Sequence, residues 1–305
     1  MKFSLSKYIW FDGKFVPVNM AKVPVTTHAI HYGTSIFEGI RAYWNSKNLH
    51  VFRLKDHIKR FRNSGKFYNI KLNFSDKQIE NAVIDLCKKN KIKKSCYIRP
   101  FYFVGQYGIN LYVTQKAPTH TAIFAFPFGD LFNKNGITAT ISKWRKFSDM
   151  STPTQAKMGG NYLNSILATQ DAKQRGFDEA ILLDQSGNVS EAPGENIFLV
   201  KNDELVTPPL SSSALDGITR RTIITLAKDM NLKIKVQKVS KKELKLADEI
   251  FLSGTAAEIT PIIKIDKKKI GNEEVGNITK LFMATYSDIV MNKNENYSHW
   301  LTTVY

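Results

Sequence analysis

The sequence predicts an α+β fold in two domains, on three observations. Strand-like and helix-like segments are interspersed without regular βαβ alternation, which disfavours a doubly wound sheet. A chain of 305 residues has room for two hydrophobic cores. Periodicity lapses over FGDLFNKNG, residues 128–136, where turn formers cluster as in a linker. The expected division is an N-terminal α/β domain over 1–127, a linker over 128–136 and a C-terminal domain over 137–305.

Taken in order, YIWFDGKFVPV reads as a hairpin-like opening. In VFRLKDHIKRFRNSGKFY, Leu54, Ile58 and Phe61 share one helical face. Ser75 with Gln78 has the spacing of a capping box, and Ile79, Ala82, Val83, Leu86 and Cys87 follow at helical intervals. Two β-rich runs come next, CYIRPFYFVG and TAIFAFPF. Beyond the linker, ITATIS alternates as a strand, and a helix is expected from about Asn161 to Arg175, stopped by Gly176. AILLDQSGNVSEA and NIFLVKNDELVTPP read as hairpins. A helix from Thr219 carries Ile223, Leu226, Ala227 and Met230 on one side, and DEIFLSG reads as a later strand.

Composition narrows the function classes. The 43% hydrophobic content fits a globular protein. No apolar run approaches the ~18–20 residues of a membrane span. The opening stretch MKFSLSKYIWFDGKF has no apolar core followed by a cleavage site. Two cysteines, Cys87 and Cys96, make neither a disulfide framework nor a zinc site, and a reducing cytoplasm is expected. The formal charge of +17 raises the question of a nucleic-acid partner. Only nine of the 44 basic residues are Arg, however, and the lysines are spread along the chain with no nucleic-acid-binding motif. A surface bias that steers anionic substrates is the favoured reading, with a non-catalytic nucleic-acid binder as the contrasting class.

Four stretches have the residues for chemistry. Lys157 in QAKMGGNYLNS is the one charge between Met150 and Gln170. A desolvated lysine loses its proton more readily, and the neutral amine attacks carbonyls; the glycines beside it would let a flat ligand approach the backbone. A snorkelling lysine next to a Gly-Gly turn is the plainer alternative, and on these residues alone the favoured one. SEAPGEN places Glu191 and Glu195 at a hairpin end, where a carboxylate turned inward could pair with a protonated heterocyclic nitrogen; a solvated pair is the plain alternative. SSSALDGITRRT leads small residues into a helix at Gly217–Thr219, either an anion site or an ordinary helix start capped by Asp216. SGTAAEITPI ends a strand in small residues with Thr255, a cradle or a turn, and Arg60 offers a guanidinium for phosphate. His28 and His31 lack companions for a metal set, so a packing or hydrogen-bonding role is expected and no metal.

In sequence order, HYGTSIFEGIRAY, HIKRF, YIRP, AKMGGNYLNS, SEAPGENIF, SSALDGITR and SGTAAEITP resemble the successive motifs of branched-chain amino-acid aminotransferases, fold-type IV pyridoxal-phosphate enzymes. The resemblance runs from about Ile9 to about Ile263, with a weaker echo at WLTTV. It implies a small, sandwich-like N-terminal α/β domain and a larger C-terminal domain with a β-barrel-like core. It implies that Lys157 carries pyridoxal 5'-phosphate as a Schiff base and then acts as general base. Glu191 would bond the ring nitrogen and Tyr162 the phenolic oxygen. Arg60, the amides of Ile218 and Thr219, and Thr255 would hold the phosphate. Phe37, Tyr32 and Tyr162 would line the apolar side of the substrate pocket. Tyr97 and Arg99 would receive the distal carboxylate of glutamate, and the amides of Thr255–Ala256 the α-carboxylate.

The implied reaction is ping-pong transamination of leucine, isoleucine and valine with 2-oxoglutarate, in a homo-oligomer, dimer or hexamer. Within the same fold, a D-amino-acid aminotransferase or an aminodeoxychorismate lyase would use the same lysine; the Tyr-x-Arg of YIRP favours the branched-chain reading. Four positions depart from the family pattern. Ala192-Pro193 stands where a small pair such as Gly-Ala is common, and Phe128 and Leu131 stand where bacterial relatives often carry Trp and Tyr.

Overall fold

The structure, a computed structural model, describes residues 5–305. The first four residues of the opening stretch lie outside the described residues. The chain forms two compact units: Met1–Gly129 with Ala156–Gly160 and Asp288–Tyr305, and Asp130–Gln155 with Asn161–Ser287. The break at Gly129 falls inside the expected linker. The rest departs from a single cut. Ala156–Gly160, with Lys157, and the last stretch of the chain both return to the first unit, because each pairs there by backbone hydrogen bonds.

The first unit is a sheet covered by two helices. β1 (Tyr8–Phe11) and β2 (Lys14–Pro17) form the opening hairpin, with Asp12 and Gly13 both at positive φ as a tight two-residue turn requires. After a short helix α1 (His28–Tyr32) come β3 (Ser35–Phe37), β4 (Ile40–Trp44), β5 (Leu49–Phe52), α2 (Leu54–Lys66), α3 (Asp76–Lys89), β6 (Cys96–Val104) and β7 (Thr119–Pro127). The antiparallel order runs β5, β4, β6, β7, β1, β2, with β3 against β6. The late strand Leu301–Thr303 adds to the free side of β5, and Met158 bridges to Ile36. Leu54, Ile58 and Phe61 of α2 and Ile79, Val83 and Leu86 of α3 are buried against Ile40, Val51, Ile98 and Tyr102 of the sheet, as the helical spacing predicts. The capping box of α3 is formed: Ser75 Oγ accepts from Gln78 N–H at 3.2 Å, and Gln78 Oε1 from Ser75 N–H at 2.8 Å.

The second unit is built on another eight-stranded sheet. Its elements are β8 (Ile137–Arg145), α4 (Tyr162–Gln174), β9 (Glu179–Leu183), β10 (Asn196–Lys201), β11 (Glu204–Thr207), α5 (Ile218–Asp229), β12 (Ile234–Val236), α6 (Lys241–Lys245), β13 (Glu249–Gly254), β14 (Glu258–Ile265), β15 (Lys268–Lys269) and α7 (Asn277–Val290). The order is β12, β11, β10, β13, β14, β8, β9, with β15 against β14. Val189 N–H, just after β9, donates to Val239 O, just after β12, at 2.8 Å. The two ends of the sheet are thereby drawn together around Ile137, Ile181, Leu199, Leu252 and Ile262, which is the barrel-like core expected. β9 makes the expected hairpin and, besides it, a pairing that the hairpin does not announce. Its regular partner is β8, in parallel, while the return chain joins it through the Leu183–Val189 bridge and Leu182 N–H to Glu191 O.

Candidate active site

In the first unit, the sheet and α2 bring five of the predicted residues to one place. Tyr97 and Arg99 stand two apart on β6 and so share a face. The Arg99 guanidinium lies over the rings of Phe37 (4.6 Å) and Tyr97 (5.2 Å) and donates to Tyr97 Oη at 3.2 Å. Lys157 Nζ lies 5.0 Å from the centre of the same Phe37 ring. Its backbone is pinned on both sides: Lys157 N–H donates to Ser64 Oγ at 3.0 Å and Lys157 O accepts from Phe37 N–H at 3.1 Å.

Arg60 holds Glu38, which the sequence reading did not single out. Its Nε donates to Oε1 at 2.6 Å and Nη2 to Oε2 at 2.9 Å, while His57 Nδ1 reaches Oε2 at 2.7 Å. His57 and Arg60 lie three apart on α2, so both side chains meet the one carboxylate. Glu38 is fully buried, and burial alone would disfavour its charge. Arg60 and His57 outweigh burial and hold it well below the usual carboxylate range. Burial pushes His57 down against the pull of Glu38, so a neutral imidazole donates Nδ1–H to the acceptor-only carboxylate.

The Lys157 amine is set by this group. The half-buried side chain has an ammonium that loses hydration, and Arg60 beside it adds repulsion. Glu38 and Tyr97 oppose, Arg99 adds to Arg60, and the amine is pushed down to about 8. The glycines have a different part from the one expected. A side chain on Gly159 would lie 2.3 Å from Ser35 Oγ, and Gly160 N–H donates to Gly33 O at 3.2 Å, so the close approach is chain on chain. Tyr32 is not brought to this group; it is exposed on α1 with its ring against His28, 4.5 Å between centres. His28 and His31 have hydrogen-bonding roles, to Thr34 Oγ1 and Asn110 O and to Val25 O.

The second unit holds the rest of the predicted set. Glu191, in the turn before β10, is buried. Its Oε2 accepts from Asn196 Nδ2 at 3.1 Å and Leu215 N–H at 2.9 Å, and its Oε1 meets Lys146 Nζ at 2.6 Å. Asn196 Nδ2 also donates to Leu215 O at 2.8 Å, tying the SEAPGEN turn to the loop before α5. Gly217 is required there, since a side chain would lie 2.0 Å from Asn196 Oδ1. That glycine is the N-cap of α5 and no side chain caps it. Asp216, expected as the alternative cap, pairs instead with Arg221, Oδ1 to Nε 3.0 Å. Ile218 and Thr219 are buried in the first turn. Thr255 and Ala256 form the turn between β13 and β14, and Tyr162 opens α4, half-buried. Pro193 is buried within the SEAPGEN turn and leaves both Oε2 bonds of Glu191 in place.

Some buried polar atoms find no hydrogen-bond partner among the described residues. They include Arg99 Nε and the hydroxyls of Ser190, Ser212 and Ser253, the last three lying one in each of the three loop motifs. Such orphans are expected where a polar ligand completes a site. No helix among the described residues is long and apolar enough to cross a membrane.

Each unit taken by itself has groups suited to a phosphorylated carbonyl cofactor: a lysine amine near neutrality in the first, a buried carboxylate and an uncapped helix start in the second. The profile of the amino-transferase class IV family matches residues 35–265, and the chain belongs to that family. Among its relatives is the branched-chain-amino-acid aminotransferase of Salmonella typhimurium, 42% identical over 301 residues, 97% of each chain. The Escherichia coli enzyme of that name is equally similar, 42% identical over 97% of each chain. Among solved structures, the branched-chain aminotransferase from Thermoproteus uzoniensis with norvaline superimposes with a TM-score of 0.96 at 42% identity, over 98% of this chain and 100% of that one. The branched-chain amino acid aminotransferase from Thermobaculum terrenum, in its PLP-bound holo form, gives 0.93 at 33% identity, over 99% of each chain.

Proposed function

We propose that this chain transfers the amino group of L-leucine, L-isoleucine and L-valine to 2-oxoglutarate by ping-pong turnover, with pyridoxal 5'-phosphate as its cofactor. The observation that carries the reading is Lys157: a primary amine near neutrality, fixed by backbone bonds beside Phe37, Tyr97 and Arg99. The residues fit the cofactor by their chemistry. The amine suits an aldehyde, the buried Glu191 carboxylate a protonated ring nitrogen, and the uncapped start of α5 a phosphate. When bound, the cofactor supplies a carbonyl that takes and returns the amino group and a ring that stores an electron pair.

The chain's own residues divide the remaining work. Lys157 Nζ would bind the cofactor and, once displaced, would carry the proton from the substrate α-carbon to the former aldehyde carbon. Glu191 holds the ring nitrogen, and Tyr162 donates to the phenolic oxygen. Arg60, the amides of Ile218 and Thr219, and the Thr255 hydroxyl hold the phosphate. The Phe37 ring offers the apolar side chain its surface. Arg99 and Tyr97 receive the second carboxylate of glutamate or 2-oxoglutarate, a role supported by the unpartnered Arg99 Nε. The amides of Thr255 and Ala256 take the α-carboxylate. A cytoplasmic location and a homo-oligomer, dimer or hexamer, belong to the same proposal, and light scattering on the purified protein tests the oligomer.

The test is the ultraviolet–visible spectrum of the purified protein before and after adding L-leucine. A yellow protein whose band gives way to that of the pyridoxamine form supports the reading, and Lys157→Ala should abolish the conversion. Absence of turnover with all three branched-chain donors and 2-oxoglutarate sinks it.

A further inference from the structure

Glu191 meets any ligand with most of its acceptor capacity filled. Two donors, Asn196 Nδ2 and Leu215 N–H, saturate Oε2. Oε1 takes Lys146 at 2.6 Å, so a further N–H finds one lone pair, directly beside an ammonium. Lys146 follows β8, and its backbone N–H is anchored on Leu183 O at 2.9 Å. Its side chain is 13% exposed, against 6% for Glu191. Burial alone would lower the amine's proton affinity; Glu191 first, then Tyr162 and Asp149, outweigh it and hold Lys146 charged. Arg220, buried in α5, is a second cation that feels the same carboxylate.

We propose that Lys146 is a positioning residue that acts on the cofactor through Glu191. It shares Oε1 with the ring N–H and so limits how firmly the ring nitrogen is held protonated. It also serves as the carboxylate's counter-ion when the ring is absent. The inference rests on the assignment of Glu191 to the ring nitrogen made above. Two cations on one carboxylate oxygen repel, and in a desolvated site a neighbouring unit charge changes proton affinity by a factor on the order of ten or more. Without Lys146, a buried carboxylate with two amide donors is left uncompensated and grips a ring N–H more tightly. The nearest sequence signal is the basic pair Arg145–Lys146 at a strand end, one short basic run among several.

The experiment titrates cofactor-free protein, by fluorescence, with pyridoxal 5'-phosphate and with its 1-deaza analogue, whose ring carries C–H in place of nitrogen. The ratio of the two dissociation constants isolates the ring-nitrogen interaction, and turnover does not enter it. Lys146→Met is expected to raise the preference for the natural cofactor by about tenfold. Lys146→Arg should keep the wild-type ratio, and Glu191→Gln should abolish the preference. Binding of the deaza analogue reports that each variant is folded, and Lys146→Gln replaces Lys146→Met if the latter fails it. An unchanged or lowered ratio in the neutral variant overturns the role of Lys146. Equal binding of both ligands by the wild type and by Glu191→Gln overturns the ring-nitrogen assignment instead.

Discussion

Lys157 is balanced between two arginines that repel its proton and two acidic groups, Glu38 and Tyr97, that attract it. Only the neutral amine captures an aldehyde. With its proton lost at about 8, capture of pyridoxal phosphate by cofactor-free protein should accelerate roughly tenfold per pH unit below that value and level off above it. Stopped-flow absorbance across the pH range measures this directly. Glu38→Gln removes an anion that favours the ammonium, so the midpoint of the profile should move to lower pH. A midpoint left in place would mean that Glu38 shapes Arg60 alone. The cluster around Glu38 also shows where residue-level reading stops. Arg60 is visible as a cation on an otherwise apolar helix face, but its partner is 22 positions away, and a pairing across that separation leaves no periodic trace.

The helices of the first unit are the most legible elements, because one-sided burial imposes a 3.6-residue rhythm on the sequence. The start of α3 is readable even to its hydrogen bonds. Ser75→Ala should therefore cost about 1 kcal/mol of stability, seen as a lower urea midpoint with an unchanged slope. Strands are readable as strands, yet their partners are not. Nothing in EAILL announces that β9 lies parallel to β8, since a fully buried strand has the same apolar run whichever neighbour it takes. The site follows the same division. Lys157, Glu191 and the α5 start can be picked out from local chemistry, while Lys146 and Asn196 matter through bonds to Glu191 that only the folded chain makes.

At the scale of the molecule, a formal charge of +17 surrounds a chemistry in which one substrate is an anion and the other is not. 2-Oxoglutarate carries two negative charges, whereas leucine carries none net. Added salt shortens the reach of the field to about 8 Å at physiological strength and less beyond. Raising ionic strength should accordingly lower kcat/KM for 2-oxoglutarate more than for L-leucine, measured as separate half-reactions. Equal responses would assign the lysines to surface character alone.

The strand Leu301–Thr303 lies against β5, with Arg53 N–H bonded to Trp300 O at 2.7 Å and Val304 N–H to Leu49 O at 3.0 Å. During synthesis, β5 leaves the ribosome early, yet the neighbour that covers its edge is made only after all of Asn161–Ser287. The piece bearing Lys157 arrives midway, when that edge is still bare. Non-local closure of this kind is slow and leaves backbone open to stray pairing. The first unit therefore cannot close until Leu301–Thr303 has been made, and the reactive amine is emplaced in a scaffold whose last seam is still open.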